Sequence, residues 1–201
     1  MRFRMIASAI FLLAAMALSA ASARAQSAVS GKPVASLPVE LALTYNWAHS
    51  NAPPGGCGCF SLNGAGLQLA WPVGRKGFAF TADISVVDQP NALSTGNSLT
   101  LGTFLVGAQY RAAKADRRWQ PFAEILAGGS HASGKMIASN PAASGATLNF
   151  AGEAGGGLDL RLSRHWLWRA VQADYMAGTV NNGSNNHQNI LRVNTGVALR
   201  F

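Results

Sequence analysis

Residues 191–201, LRVNTGVALRF, constrain this chain more than any other stretch. Leu191, Val193, Thr195, Val197, Leu199 and Phe201 share one parity, and Arg192, Asn194, Gly196, Ala198 and Arg200 the other. Period-two alternation puts bulky carbon on one face of an extended strand and charge, amide or glycine on the opposite face. Such a strand needs two unlike environments. Taken alone, the stretch also fits an amphipathic strand of an ordinary sheet.

The pattern recurs upstream at 37–48, 62–71, 78–87, 99–111, 119–130 and 147–162. In the first of these, Leu37, Val39, Leu41, Leu43, Tyr45 and Trp47 alternate with Pro38, Glu40, Ala42, Thr44, Asn46 and Ala48. A further strand at 166–176 breaks the rule, because Arg169 and Asp174 fall on opposite parities although both are charged. One extra residue near Ala170 or Val171, a β-bulge, restores the pattern and brings Trp166, Trp168 and Tyr175 to one face. The connections at 49–60, 88–98, 131–146 and 177–188 are long and rich in Asn, Gly, Ser and Pro, whereas 72–77, 112–118 and 163–165 are short. The sequence thus predicts an all-β fold, an eight-stranded antiparallel up-and-down transmembrane β-barrel, with long loops at one end and tight turns at the other.

The amino-terminal region points to export. Arg2 and Arg4 precede an apolar run over 6–18 and a small-residue site, Ala23-Arg24-Ala25, which predicts a signal peptide over 1–25 and a barrel domain over 26–201. The apolar run is too short for the roughly 20 residues that a membrane-spanning helix requires. Setting aside Arg2, Arg4 and Arg24 leaves 13 basic against 8 acidic residues. That modest excess, without basic clusters interleaved with aromatics, argues against nucleic acid as a partner. Charged residues make up 12% of the chain, about half the share usual in soluble domains.

One parity carries ten charges: Glu40, Asp83, Arg111, Glu124, Glu153, Asp159, Arg161, Asp174, Arg192 and Arg200. Turned toward hydrocarbon, an arginine near the bilayer midplane costs roughly 2–4 kcal/mol, with less for acids and near the rims. The summed cost exceeds the ~5–15 kcal/mol stability of a typical domain, so this face is expected inside. A soluble lipocalin-like barrel would reverse the faces. Against it, the polar parity is crowded with Gly64, Gly66, Gly107, Gly128, Gly155, Gly157 and Gly196 rather than Lys and Glu. Trp71, Phe78, Tyr110, Trp119, Trp166, Trp168 and Phe201 collect at the turn ends of the strands, with Tyr45, Trp47 and Tyr175 nearer the loops, as two aromatic girdles would.

The closing strand also resembles the carboxy-terminal assembly signal of bacterial outer-membrane barrels, carried by Asn194, Gly196, Leu199 and the terminal aromatic Phe201. With the strand series, the mature chain resembles the small OmpA-like and OmpX-like barrels of the porin-type β-barrel domain family. The resemblance implies an outer-membrane location in a Gram-negative envelope. It also implies contact with outer-membrane lipid and lipopolysaccharide, and delivery to the barrel-assembly machinery through the last strand. A periplasmic peptidoglycan-binding domain like that of larger members is not expected after Phe201.

A lumen eight strands wide is filled by side chains, so the acids are expected to pair with the arginines in a network that closes it. Function then falls to the loops, in envelope integrity or in binding an extracellular ligand. Two alternatives remain: a narrow low-conductance porin, and a lipid A-modifying hydrolase. His131-Ala132-Ser133 resembles the His-x-Ser arrangement of lipid A deacylases, with Glu153 as orienting acid, but Gly134 and Lys135 do not extend the motif and Glu153 is assigned to the lumen. The reading is therefore non-enzymatic, with no cofactor and no metal. Cys57 and Cys59, two apart in the first loop, are read as a strained loop staple, with metal ligation alongside His49 as the alternative.

Overall fold

A computed structural model describes residues 38–50, 60–73, 77–92, 97–112, 117–134, 148–179 and 187–201. The expected signal peptide and the Cys57–Cys59 staple lie outside the described residues. Eight strands follow in order: β1 Glu40–Ser50, β2 Phe60–Pro72, β3 Phe78–Ala92, β4 Asn97–Arg111, β5 Trp119–Gly134, β6 Leu148–Arg161, β7 Trp166–Gly178 and β8 Gln188–Arg200. Each is antiparallel to its sequence neighbours, and β1 pairs with β8 from Glu40↔Arg200 to Ser50↔Ile190, which closes the barrel. Closure leaves no free sheet edge.

The faces fall as the alternation requires. Leu43, Tyr45, Phe80, Phe104, Ile125 and Val197 are exposed on the outer wall, while Glu40, Asp83, Glu124, Asp159 and Arg192 are buried. The seven aromatics assigned to the turn-end girdle are all exposed on the outside. At the loop end Tyr45 and Tyr175 are exposed, whereas Trp47 is half-buried and stacks on His49 at 5.6 Å.

The wall curls tightly, and glycine permits it. A Cβ at Gly107 would lie 2.1 Å from the Ile125 carbonyl oxygen, and one at Gly196 the same distance from that of Leu43. Gly77 takes φ 84 in the β2–β3 turn, where the Val73 amide donates to the Phe78 carbonyl at 2.8 Å.

The bulge in β7 sits at Ala170. Pairing with β6 passes from Leu158↔Val171 to Asp159↔Arg169, and pairing with β8 shifts between Arg169 and Gln172. Arg169 and Asp174 both face the lumen as a result, at 2% and 1% exposure.

Two features depart from the sequence reading. First, several strands run beyond their expected ends: β3 continues to Ala92 and β4 begins at Asn97, so only 93–96 connects them, and β5 includes His131–Gly134. Past the apolar band, alternation carries no penalty on either face, so pairing persists without its period-two signature; Thr100 Oγ1 still donates to Asp88 Oδ1 at 2.6 Å there. Second, the loop-side part of the lumen is apolar. Phe60, Leu62, Leu99, Leu101, Leu105, Leu126, Met176 and Ile190 pack together inside, above the polar half.

The bulge generates a test. Deleting Ala170 leaves Arg169 and Asp174 four positions apart and on one face of a regular strand, so the barrel still forms. Deleting Ala82, in regular β3, turns either Asp83 or the residues before it to the wrong face. On unheated gels the first variant is expected to keep compact migration and the second to lose it. Equal damage from the two deletions would contradict the bulge assignment.

Candidate functional site

The barrel gathers its charges in the lumen, in a chain of bonds that runs from Arg200 to Asp174 and a separate group around Arg192. At the β1–β8 seam, where Glu40 and Arg200 are direct cross-strand partners, Arg200 Nη2 meets Glu40 Oε1 at 2.5 Å and donates to Gln120 Oε1 at 2.7 Å. Across the lumen, Arg111 Nη2 bridges Glu40 Oε2 (2.6 Å) and Asp159 Oδ2 (2.9 Å). Asp159 Oδ1 then accepts from Arg169 Nε at 3.0 Å, and Arg169 Nη1 donates to Gln68 (2.6 Å) and Gln172 (2.8 Å). Nearer the loops, Arg192 joins Glu153 at 2.7 Å and Asp83 at 3.3 Å.

Glu124 is held differently. Its oxygens accept from Gln68 (3.0 and 3.2 Å), Gln109 (2.9 Å) and Gln172 (2.9 Å), so amide donors surround it where a guanidinium would otherwise be needed. Gln172 also donates to Asp174 Oδ2 at 2.8 Å, as does Asn194 Nδ2 at 3.0 Å. Buried polar groups of this kind hold only when their partners are supplied, and the low local dielectric makes each bond consequential. Phe122, also inside, lies against both Arg169 (4.6 Å from Cζ to ring centre) and Arg111 (5.4 Å). A Cβ on Gly157 would lie 2.6 Å from the Val171 carbonyl oxygen and 2.7 Å from the Phe122 ring, which accounts for glycine there.

Nine of the ten charges assigned inward are buried: Glu40, Asp83, Arg111, Glu124, Glu153, Asp159, Asp174, Arg192 and Arg200. The exception is Arg161. It shares their parity but ends β6 at the turn rim, where it is exposed and its amide donates to the Arg118 carbonyl at 2.9 Å. Arg169 takes its place in the network because of the bulge. The amides Gln68, Gln109, Gln120 and Gln172 are the partners that charge-based reading missed; each lies on the inward parity, and that position was their available signal.

The described lumen holds six carboxylates against four guanidiniums. The surplus collects where Glu124, Glu153 and Asp174 bring carboxylate oxygens within 4.8 Å of one another. Glu153 Oε1 and Asp174 Oδ1 have no hydrogen-bond partner there.

Of the residues tied to assembly, Asn194 lies inside on Asp174, Gly196 lies under the Leu43 carbonyl, Leu199 is half-buried, and Phe201 is exposed with its amide on the Val39 carbonyl at 3.0 Å. The catalytic alternative is not assembled by the wall. His131 and Ser133 are exposed on the outer face of β5, whereas Glu153 is buried inside and bound to Arg192.

Removing one side of a buried ion pair costs about 3–5 kcal/mol, because the remaining charge is stranded. Arg169→Ala is therefore expected to lower unfolding stability in detergent by about that amount. Asp174→Asn relieves like-charge crowding and keeps an acceptor for Gln172 and Asn194, so its denaturant midpoint should match or exceed that of the parent. An Asp174→Asn variant as damaged as Arg169→Ala would contradict the surplus.

No family model and no curated protein matches this chain. Solved structures do. Neisserial surface protein A aligns over 81% of this chain and 97% of its own, at 12% identity and a TM-score of 0.58. Ail, the attachment invasion locus protein of Yersinia pestis, aligns over 83% of this chain and 99% of its own, at 12% identity and a TM-score of 0.55. The chain has the closed eight-stranded antiparallel fold of the small outer-membrane β-barrels.

Proposed function

We propose that this protein is a closed structural barrel of the outer membrane, with its short turns in the periplasm, its long loops outside, and no open pore. The observation that carries this reading is the lumen itself. Ion pairs and amide bonds span it from Arg200 to Asp174, and an apolar layer around Leu62 and Leu105 lies above them. The outer wall supports the membrane assignment, since Leu43, Phe80, Phe104, Ile125 and Phe150 would otherwise stand in water. Export by the 1–25 signal peptide, and assembly through Asn194, Gly196, Leu199 and Phe201 of the last strand, belong to the same proposal.

Envelope support is favoured over polyanion binding by the loops. Ail has been solved with the heparin analogue sucrose octasulfate. In this chain the segments 51–59, 93–96, 135–147 and 180–186 carry one cation, Lys135, and no acid. Such a surface offers amides, hydroxyls and small side chains to a partner, and almost no charge for a sulfated one.

In planar bilayers the purified protein is expected to leave the membrane without the stable conductance steps of a wide pore. Reproducible steps of that size would overturn the closed-lumen reading and favour the porin. Loss of an acyl chain from lipid A in cells expressing the protein would instead favour the hydrolase.

A further inference from the structure

The two ends of the barrel differ in charge. The turn segments 73–77, 112–118 and 161–165 hold seven Lys or Arg and one acid, Asp116, whereas the loop segments hold Lys135 alone. At the turn rim of β5, β6 and β7, Arg117, Arg118, Arg161 and Arg164 are all exposed. The Arg161 amide bonds to the Arg118 carbonyl at 2.9 Å, and the Arg117 carbonyl accepts from Gln120 Nε2 at 2.8 Å, so the two turns are fixed side by side. The ion pairs among the described residues all lie in the lumen, and none includes these four arginines.

Immediately above them on the outer wall lies an aromatic patch. Trp119 in β5 and Trp168 in β7 both pair with Leu160 in β6, and Trp166 follows one step nearer the rim. The three indoles are exposed by 59%, 44% and 49% for Trp119, Trp168 and Trp166 respectively. Indoles settle at the boundary between acyl chains and headgroups. The guanidiniums beyond them therefore stand at the depth of the lipid phosphodiesters, which they can bind through paired N–H donors.

We propose that this rim is a binding site for anionic phospholipid headgroups of the leaflet at the turn end, with Arg117, Arg118, Arg161 and Arg164 as the headgroup ligands and Trp119, Trp166 and Trp168 seating the chains. The site rests on the membrane reading above. Its partner is a bilayer lipid rather than free phosphate, because the cations and the apolar seat share one surface.

The test is tryptophan quenching in vesicles by acyl-brominated phosphatidylglycerol compared with acyl-brominated phosphatidylcholine. Each basic side chain near an anionic surface contributes about a fivefold preference before screening. The parent protein should therefore favour the anionic lipid by at least about fivefold. Substituting all four arginines by glutamine should remove the preference, and high salt should weaken it. The four side chains are exposed, so folding should survive, and compact migration on unheated gels checks this. Equal quenching by the two lipids, or a preference that persists in the variant, would overturn the site while leaving the barrel in the membrane. Loss of the preference on adding inorganic phosphate at constant ionic strength would reassign the site to free phosphate and overturn the lipid. Failure to insert into either vesicle would remove the membrane reading and this site with it.

Discussion

Ten buried charges inside an eight-stranded cylinder are the constraint from which the rest of the structure follows. The wall is closed, so a side chain has two choices, the outer face or a lumen barely wider than the side chains themselves. Ionised groups take the lumen and then need partners at fixed distances. That requirement explains the bulge at Ala170, the glutamines around Glu124 and the glycines that admit Phe122 and Asp174. A Cβ on Gly155, for example, would meet Asp174 Oδ1 at 2.3 Å. The ion pair of Glu40 with Arg200 sits on the seam where the last strand meets the first, so the polar interior and the closing of the barrel are secured at the same place.

Much of this was legible in the sequence because a pleated strand converts parity directly into side of wall. The parity clash of Arg169 with Asp174 located the bulge, and the polar parity of Glu40, Asp83 and Arg192 located the lumen. Parity gives side and not depth. Arg161 shows the difference: its parity is inward, but it lies at the last rung, where inward means the rim. The apolar lumen layer was written in Leu62, Leu99, Leu101, Leu105 and Leu126, all on the polar parity. It went unread because attention to charge discounts leucines on that face. The strand ends at Ala92 and Gly134 carried no signal, since pairing there continues beyond the period-two alternation. Gln68 and Gln172, which reach Glu124 across the lumen, were hidden for another reason, that such contacts join residues far apart in sequence and depend on barrel stagger.

The same physics separates the two ends. In the lumen, arginine is matched to carboxylate; at the turn rim, arginine is left to the surroundings; on the loop segments, charge is nearly absent. A barrel built this way has an electrostatic polarity along its axis as well as an apolar belt around it. Closure of the lumen, the exposed arginines of the turn rim and the scarcity of charge in the loop sequences fit the proposed place in a membrane.

The measurement that tests the account most directly is the pattern of NMR cross-peaks between lipid acyl methylenes and the protein in bilayer nanodiscs. Contacts are predicted to alternate along each strand, present at Leu43, Leu67, Phe80 and Val197 and absent at Ala42, Gln68, Thr81 and Ala198. Acyl contacts at the second set, or a uniform pattern along the strands, would contradict it.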